Sequence, residues 1–298
     1  MIVLAADVER LPESASRAEV AASIEAARLV GATVFSLEPD FSRCRDAAGA
    51  LAALPYQDKL TPAVWMGYIP TPERYAAIYE AALARNVRLV QTLEEHLRVQ
   101  ELDRAYPYIT GVTPETYFAT HPSEAAKAIE QLGVPVFVKG AVQSRKARGW
   151  KSCVAESVAE LEAQIDVLLT LENRSRGRVA VRRLVPLRYT QTGPGGFPQG
   201  REFRVFVWQR STVLGRGYYW DADDPLATLT SVEEKEIQEL ACEAAERLQV
   251  PYIAVDVAQQ TDGQWVVIET GDAQFSGLRQ TPRLALWQAL KNRIDNTL

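Results

Sequence analysis

A chain of 298 residues with 47% hydrophobic and 24% charged content is globular in composition, long enough for one large core or two to three smaller ones. A formal charge of −5 argues against general nucleic-acid binding, and no apolar run reaches membrane-spanning length. Three isolated cysteines without a CxxC pair, only two histidines, and a start ("MIVLAADVER") lacking a basic n-region argue against a zinc site and for a reducing, cytoplasmic setting.

Residues 1–104 alternate strands and helices in the order expected of βαβ units on a parallel sheet. "MIVLAA" reads as a strand and "RAEVAASIEAARLVG" as a helix stopped by Gly31. The strand "ATVFSL" follows, then "PAVWMGYI", a helix with Thr71 as N-cap and Pro72 at its first position, and the strand "VRLVQT". One further helix, "LEEHLRVQELDRAY", leads out of this unit. Residues 105–185 form a second unit of α and β elements. It holds the helix "SEAAKAIEQLG", the strand "VPVFVKG" ending at Lys139 and Gly140, the polar loop "AVQSRKARGWKS", the helix "SVAELEAQIDVLLTLE" and the strand "RVAVRRLV". A third unit, residues 186–298, starts with the Gly/Pro-rich loop "TQTGPGGFPQG". The strands "REFRVFVW" and "STVLGRGYYW", a long helix, an acidic hairpin and the helix "RLALWQALKNRI" complete it.

The hairpin, "VDVAQQTDGQWVVIETGD", carries the strongest chemical signal. Asp262-Gly263 suits a two-residue turn, because both central positions of a type I′ turn need positive φ. Counting outward, Thr261 faces Gln264, Ala258 faces Val267, and Asp256 lies opposite Glu269. Two carboxylates at about 5 Å repel by roughly 3 kcal/mol at an effective dielectric near 20. The other face, with Ile253, Val255, Val257, Val266 and Ile268, points to the core and fixes the register. Either a hard divalent cation, Mg²⁺ or Mn²⁺, joins Asp256 and Glu269, with Asp272 three residues on, or a neighbouring arginine neutralises them.

Lys139 ends an apolar strand beside a glycine, which suits either a ligand contact or a solvated strand end. The loop after it carries Arg145, Lys146, Arg148 and Lys151 around Gly149, and could close on phosphates. Glu202 and Arg204 share a strand face with Phe206 and Trp208, as a site wall or as an ion pair on the sheet surface. No P-loop, complete dinucleotide fingerprint or kinase loop is present.

Five stretches in order, "GYIPTPERYAAIYEAALARNVRLVQTLEEH", "YPYITGVTPETYF", "VFVKG", "REFRVFV" and "VIETGDAQFSGL", resemble the ATP-grasp superfamily, most closely its clade named for two arginines and a lysine. The resemblance implies an α/β ATP-grasp fold with α+β lobes, behind an N-terminal βαβ preATP-grasp domain. It implies ATP and Mg²⁺ (or Mn²⁺) as cofactors, with Asp256, Glu269 and Asp272 as metal ligands. Lys139, Lys146, Arg145, Glu202 and Arg204 would then hold the nucleotide, Arg204 and Lys139 also serving catalysis. The strand "VRRLVPL", with Arg183 and Val185, stands at the adenine hinge, and Arg104 at the first phosphate-binding base. The activity implied is ATP-dependent carboxylate–amine ligation through an acyl phosphate. A phosphotransferase and a non-turning-over ATP-binding module are the rival readings. The expected partners are ATP, a carboxylate-bearing substrate and an amine acceptor; no membrane is expected, and a homo-oligomer is compatible.

Overall fold

Short β-branched runs separated by segments of helical period build three four-stranded sheets in the computed structural model, which describes residues 1–38, 44–220 and 223–296. The first unit contains β1 (Ile2–Ala6), α1 (Ala15–Leu29), β2 (Thr33–Leu37), α2 (Ala47–Ala50), β3 (Thr61–Met66), α3 (Pro72–Leu83) and β4 (Val87–Leu89). Its strands are parallel in the order β2-β1-β3-β4. β1 is apolar at every position because both of its faces are covered. Val3 and Ala5 pack in the core that includes α1, while Ile2 and Leu4 join Ala47, Tyr75 and Ile78 on the other side. Thr71 caps α3 by accepting from Arg74 N, and Gly31 lies beyond α1 at φ +81°.

The single helix expected over "LEEHLRVQELDRAY" is instead two, α4 (Leu93–Gln100) and α5 (Leu102–Ile109), parted at Glu101 with φ −105° and ψ 116°. The side chain at the break explains it. Glu101 is 1% exposed and meets Arg104, Arg176 and Arg178. Burial alone would raise its pKa, but the arginines hold it below the usual carboxylate range.

The second unit runs through β5 (Thr116–Ala119), α6 (Ala125–Leu132), β6 (Val136–Gly140), β7 (Val154–Ala155), α7 (Val158–Leu169), α8 (Glu172–Ser175) and β8 (Val179–Arg183). The sheet order is β5-β8-β6-β7, all pairs antiparallel. Gly140 is needed where β6 ends, since a Cβ there would lie 2.2 Å from the Arg174 carbonyl oxygen.

The Gly/Pro-rich stretch expected as a loop forms a small antiparallel hairpin, β9 (Tyr189–Thr192) and β10 (Pro198–Gly200). After it come β11 (Glu202–Trp208), β12 (Thr212–Tyr218), α9 (Ser231–Leu248), β13 (Tyr252–Gln259), β14 (Trp265–Asp272) and α10 (Arg283–Asp295). The antiparallel order is β12-β11-β13-β14. Alternation sends Phe203, Val205, Val207, Ile253, Val255 and Val257 toward α9. Phe206, Trp208, Tyr252 and Ala254 take the opposite face, where α10 returns to pack against α1. The first and last units therefore share one core. Among the described residues no helix is long and apolar enough to cross a membrane.

The hairpin reaches its expected central pairing by a different route. Gly263 N donates to Gln260 O and Gly263 has φ +91°, so the turn has three residues rather than two. That shifts the register by one: Ala258 pairs with Val266, and Val257 with Val267. A β-bulge at Ile268 then shifts it back, and Asp256 faces Glu269. Val267 consequently enters the core toward α9, in place of the Val266 and Ile268 expected there.

Candidate active site

Three in-register residues form a charged row across the last sheet: Arg204 on β11, Asp256 on β13 and Glu269 on β14. Arg204 grips Asp256 in a fork, Nε to Oδ1 and Nη2 to Oδ2, both at 2.7 Å. Lys139 at the end of β6 reaches across from the second unit and donates to Glu269 Oε1 at 2.6 Å. Each carboxylate thus has its own cation, which removes the repulsion that sequence pairing alone implies. Asp256 and Lys139 are 2% and 3% exposed, so these are desolvated pairs whose loss on one side would strand a charge.

Burial works against the ionised form of Glu269, yet Lys139, Lys146 and Arg204 hold its pKa below the usual carboxylate value. Glu202, next but one along β11, shows the reverse. Burial and the charges of Asp256 and Glu269 outweigh Lys146 and Arg204 and push it up to about 7. Burial opposes the charge on Arg204, but Asp256 dominates and raises its pKa.

A second group of cations converges on Tyr219. Lys146 Nζ donates to its hydroxyl at 2.6 Å and Arg279 Nη2 at 3.0 Å, while Arg204 lies 5.1 Å from the ring centroid. Lys146 belongs to the basic loop expected to cover phosphates. That loop folds as two short 3₁₀ turns, Lys146–Arg148 and Trp150–Ser152. Gly149 touches Gly195 backbone to backbone, and Trp150, Phe197 and Trp220 form an aromatic chain with centroids 6.2 and 6.3 Å apart. The basic loop is seated on the β9–β10 hairpin. Arg145, half-buried beside it, has its Nε buried with no partner among the described residues.

Other expected site residues lie elsewhere. Asp272 is three positions from Glu269, and the alternation of the strand turns it away from the row. It is fully buried against α4, its carboxylate accepting from His96 Nδ1 at 2.8 Å and from Gln274 N at 2.9 Å. Arg104 pairs with Glu101 at 2.7 Å and does not reach the row. Arg183 is exposed and pairs with Glu115 at 2.8 Å, and Val185 is half-buried in the connection from β8 to β9. The arginine that β8 sends inward is Arg182, 3% exposed, which donates to Thr113 Oγ1 at 2.7 Å and to the bulged Ile268 carbonyl at 2.6 Å. Burial lowers its pKa to about 10. Sequence reasoning passed over Arg182, Tyr219 and Arg279. Strict alternation through "VAVRR" separates the two β8 arginines, whereas nothing local marks Arg279, a non-glycine at φ +57°.

A cavity of about 770 Å³ opens beside the row, lined at one end by Lys146, Arg204, Asp256, Glu269 and Arg279. The acids fit a hard divalent cation. Both are oxygen donors, and hydrogen bonds among the described residues engage only Oε1 of Glu269, whose side chain is 30% exposed. No cluster of three or more metal-type side chains occurs among the described residues. Two carboxylates completed by phosphate oxygens is the arrangement Mg²⁺ commonly accepts.

With 19% identity and a TM-score of 0.60, the RimK domain ATP-grasp protein of Sphaerobacter thermophilus aligns over 97% of each chain. D-alanyl-alanine synthetase A of Vibrio cholerae aligns at 13% identity and TM-score 0.62, covering 99% of this chain and 98% of that one. The ATP-grasp ligase PsnB, complexed with precursor peptide and AMPPNP, aligns at 14% identity and TM-score 0.58 over 98% and 97%. At such identities the likeness is one of fold. No curated protein matches the sequence. The family described as ATP-grasp domain, R-two-K clade family 3, matches residues 130–290, more than half of the chain, and to that family this protein belongs.

Proposed function

We propose that the protein is an ADP-forming ligase that joins a carboxylate to an amine, built from a preATP-grasp unit (1–104), a central lobe (105–185) and a C-terminal lobe (186–298). The observation that carries the reading is the Arg204–Asp256–Glu269 row, with Lys139 held against it and a cavity opening at its side. Ligases among the proteins of this fold, the D-alanyl-alanine synthetase and PsnB, support the reaction class. Asp256 and Glu269 would hold Mg²⁺, which when bound would offset phosphate charge.

In this reading Lys139 turns from Glu269 to the ATP phosphates, and the loop bearing Arg145 and Lys146 covers them. A carboxylate oxygen of the acid attacks the γ-phosphorus and ADP leaves. The amine then attacks the acyl carbon, phosphate departs, and the amine nitrogen gives up a proton. Arg204, Lys146 and Arg279 face the charge that develops, in a partly desolvated setting where such stabilisation counts most. Incubation with MgATP and panels of acids and amines provides the test. ADP together with an amide, and transfer of heavy oxygen from labelled carboxylate into phosphate, are the expected products. ADP with a stable phosphorylated acceptor would make the protein a phosphotransferase, and an absence of turnover would make it a binding module.

A further inference from the structure

Past β14 the chain is held by a residue from near its opposite end. Through Oε1, the Glu19 carboxylate on α1 accepts from the backbone N–H of Leu278 and from that of Arg279, the latter at 3.3 Å. Arg279 has φ +57°, and successive N–H groups at a left-handed residue form a concavity that an anion fills. Here the anion is internal. Glu19 serves this turn alone, pairing with no cation among the described residues. A Cβ on Gly277 would lie 2.8 Å from Glu19 Oε2, so only glycine admits the carboxylate. On the other flank, Arg204 Nη1 donates to the Gly277 carbonyl at 2.8 Å. The turn is fastened to α1 on one side and to the charged row on the other.

What the turn presents is the Arg279 side chain, on a backbone conformation that a non-glycine residue adopts only at a cost. Its guanidinium lies 4.3 Å from the Tyr219 ring centroid and donates to the hydroxyl, which also accepts from Lys146. Neither cation has a carboxylate within ion-pair distance among the described residues. Two like charges gathered on one oxygen repel, and anions arriving beside them relieve that repulsion. Acyl-phosphate formation brings two anions together, a phosphoryl group and a carboxylate. Resting on the ligase reading, we infer that Arg279 seats the carboxylate of the acid, and that Glu19 is the positioning residue that holds Arg279 there. Lys146 belongs to the loop that, in that reading, covers the phosphates. Arg279 is tied instead to the first unit, whose Ser14, Glu19 and Tyr68 line the same cavity. The acid is then received between the first and third units, and ATP between the second and third.

The test reads binding, not turnover. Isotope-labelled acetate is titrated at constant ionic strength into the full chain saturated with Mg²⁺ and a non-hydrolysable ATP analogue, and its NMR line broadening reports occupancy. Wild type should bind acetate saturably. Arg279→Gln should weaken acetate at least about tenfold and the analogue by less than about twofold. Glu19→Ala should weaken acetate about fivefold or more, whereas Glu19→Gln, which keeps the acceptor oxygen, should bind it at least as tightly as wild type. Gly277→Ala keeps the Glu19 charge but displaces the flexible end of that side chain, and should reproduce the loss if Glu19→Ala does not fold. A Glu19 that acted only as a nearby negative charge would make both of its variants bind acetate more tightly. That result would overturn the inference, as would no acetate binding to wild type, acetate binding indifferent to Arg279, or a loss in Arg279→Gln that falls on the analogue instead. If acetate behaves as expected but no acid yields an amide, the ligase reading falls and the carboxylate seat stands.

Discussion

Glu269→Gln separates the two partners that Glu269 is proposed to serve, the lysine it touches and the metal it would bind. At 2.6 Å the Lys139–Glu269 attraction is roughly 6 kcal/mol for an effective dielectric near 20, an upper bound given the desolvation of Lys139. Glutamine keeps the shape and one acceptor oxygen, but replaces the ion pair with a hydrogen bond from the ammonium to a neutral amide. With Lys139 left buried and its counter-charge gone, the free protein should lose about 3–5 kcal/mol of stability. The nucleotide site responds differently. Lys139, released from its carboxylate, becomes more available to phosphate, so ATP without Mg²⁺ should bind the variant at least as tightly as wild type. The gain on adding Mg²⁺ should vanish, because the side chain with the free oxygen has lost its charge. Calorimetric titration of ATP in Mg²⁺ and in EDTA gives both affinities. A variant that keeps the wild-type ratio between them would refute the placement of Glu269 at the metal.

Asp272→Asn should cost about 1–3 kcal/mol in urea denaturation through the buried His96 contact, yet leave the Mg²⁺ dependence of ATP binding intact; loss of that dependence would restore Asp272 as a ligand. Gly149→Ala combines φ +88° with a Cβ 2.8 Å from Gly195, so the basic loop should leave the β9–β10 hairpin. Trypsin cleavage at Arg145 and Arg148 should then rise about tenfold or more without nucleotide, and unchanged cleavage would show that the contact does not hold the loop. Glu233 is held down to about 2, chiefly by its hydrogen bond from Arg201, against an ordinary 4.5. Its contribution is complete above pH 4.5 and is lost as the pH falls through 2. Because Glu233 is only partly buried, Glu233→Gln should cost about 1–2 kcal/mol at pH 7 and flatten the acid limb of the stability profile; coincident wild-type and variant curves would sink the assignment.

Patterns that depend on alternation were readable in the sequence. The two faces of β11 and β13 follow from Glu202 to Trp208 and Tyr252 to Val257, whereas the expected Asp256–Glu269 pairing holds only because a longer turn and the bulge at Ile268 offset each other. What long-range packing decides was not readable. Glu101 has helix-forming neighbours on both sides, yet three arginines draw it inward and break the helix. Arg178 and Arg176, which come from far along the chain, cannot be linked to it by any local rule. The same holds for the cations. Lys139 and Arg204 stood out by strand position, but the partner each takes in the free protein depends on how the second and third sheets meet. Asp272 was misplaced for a simpler reason: an odd spacing from Glu269 already implied that it points elsewhere. The β9–β10 hairpin was hidden by its glycines and prolines, which signal a loop unless a partner surface such as Trp150 organises them.

The three-residue turn and the bulge at Ile268 have opposite effects on register, and only their combination is seen at the charged row. Insertions and deletions should therefore be distributed unevenly among relatives of this chain. At Thr261–Gly263 a shorter turn can still join Gln260 to Gln264, leaving every pair below it in place, so length there is free to drift. Between Val267 and Glu269 the chain is pinned, since Val267 must enter the core, Glu269 must face Asp256, and the Ile268 carbonyl between them receives Arg182 from another sheet. One added residue on this short span would carry the carboxylate to the wrong side. The tip of the hairpin can vary in length, while its base keeps a fixed count.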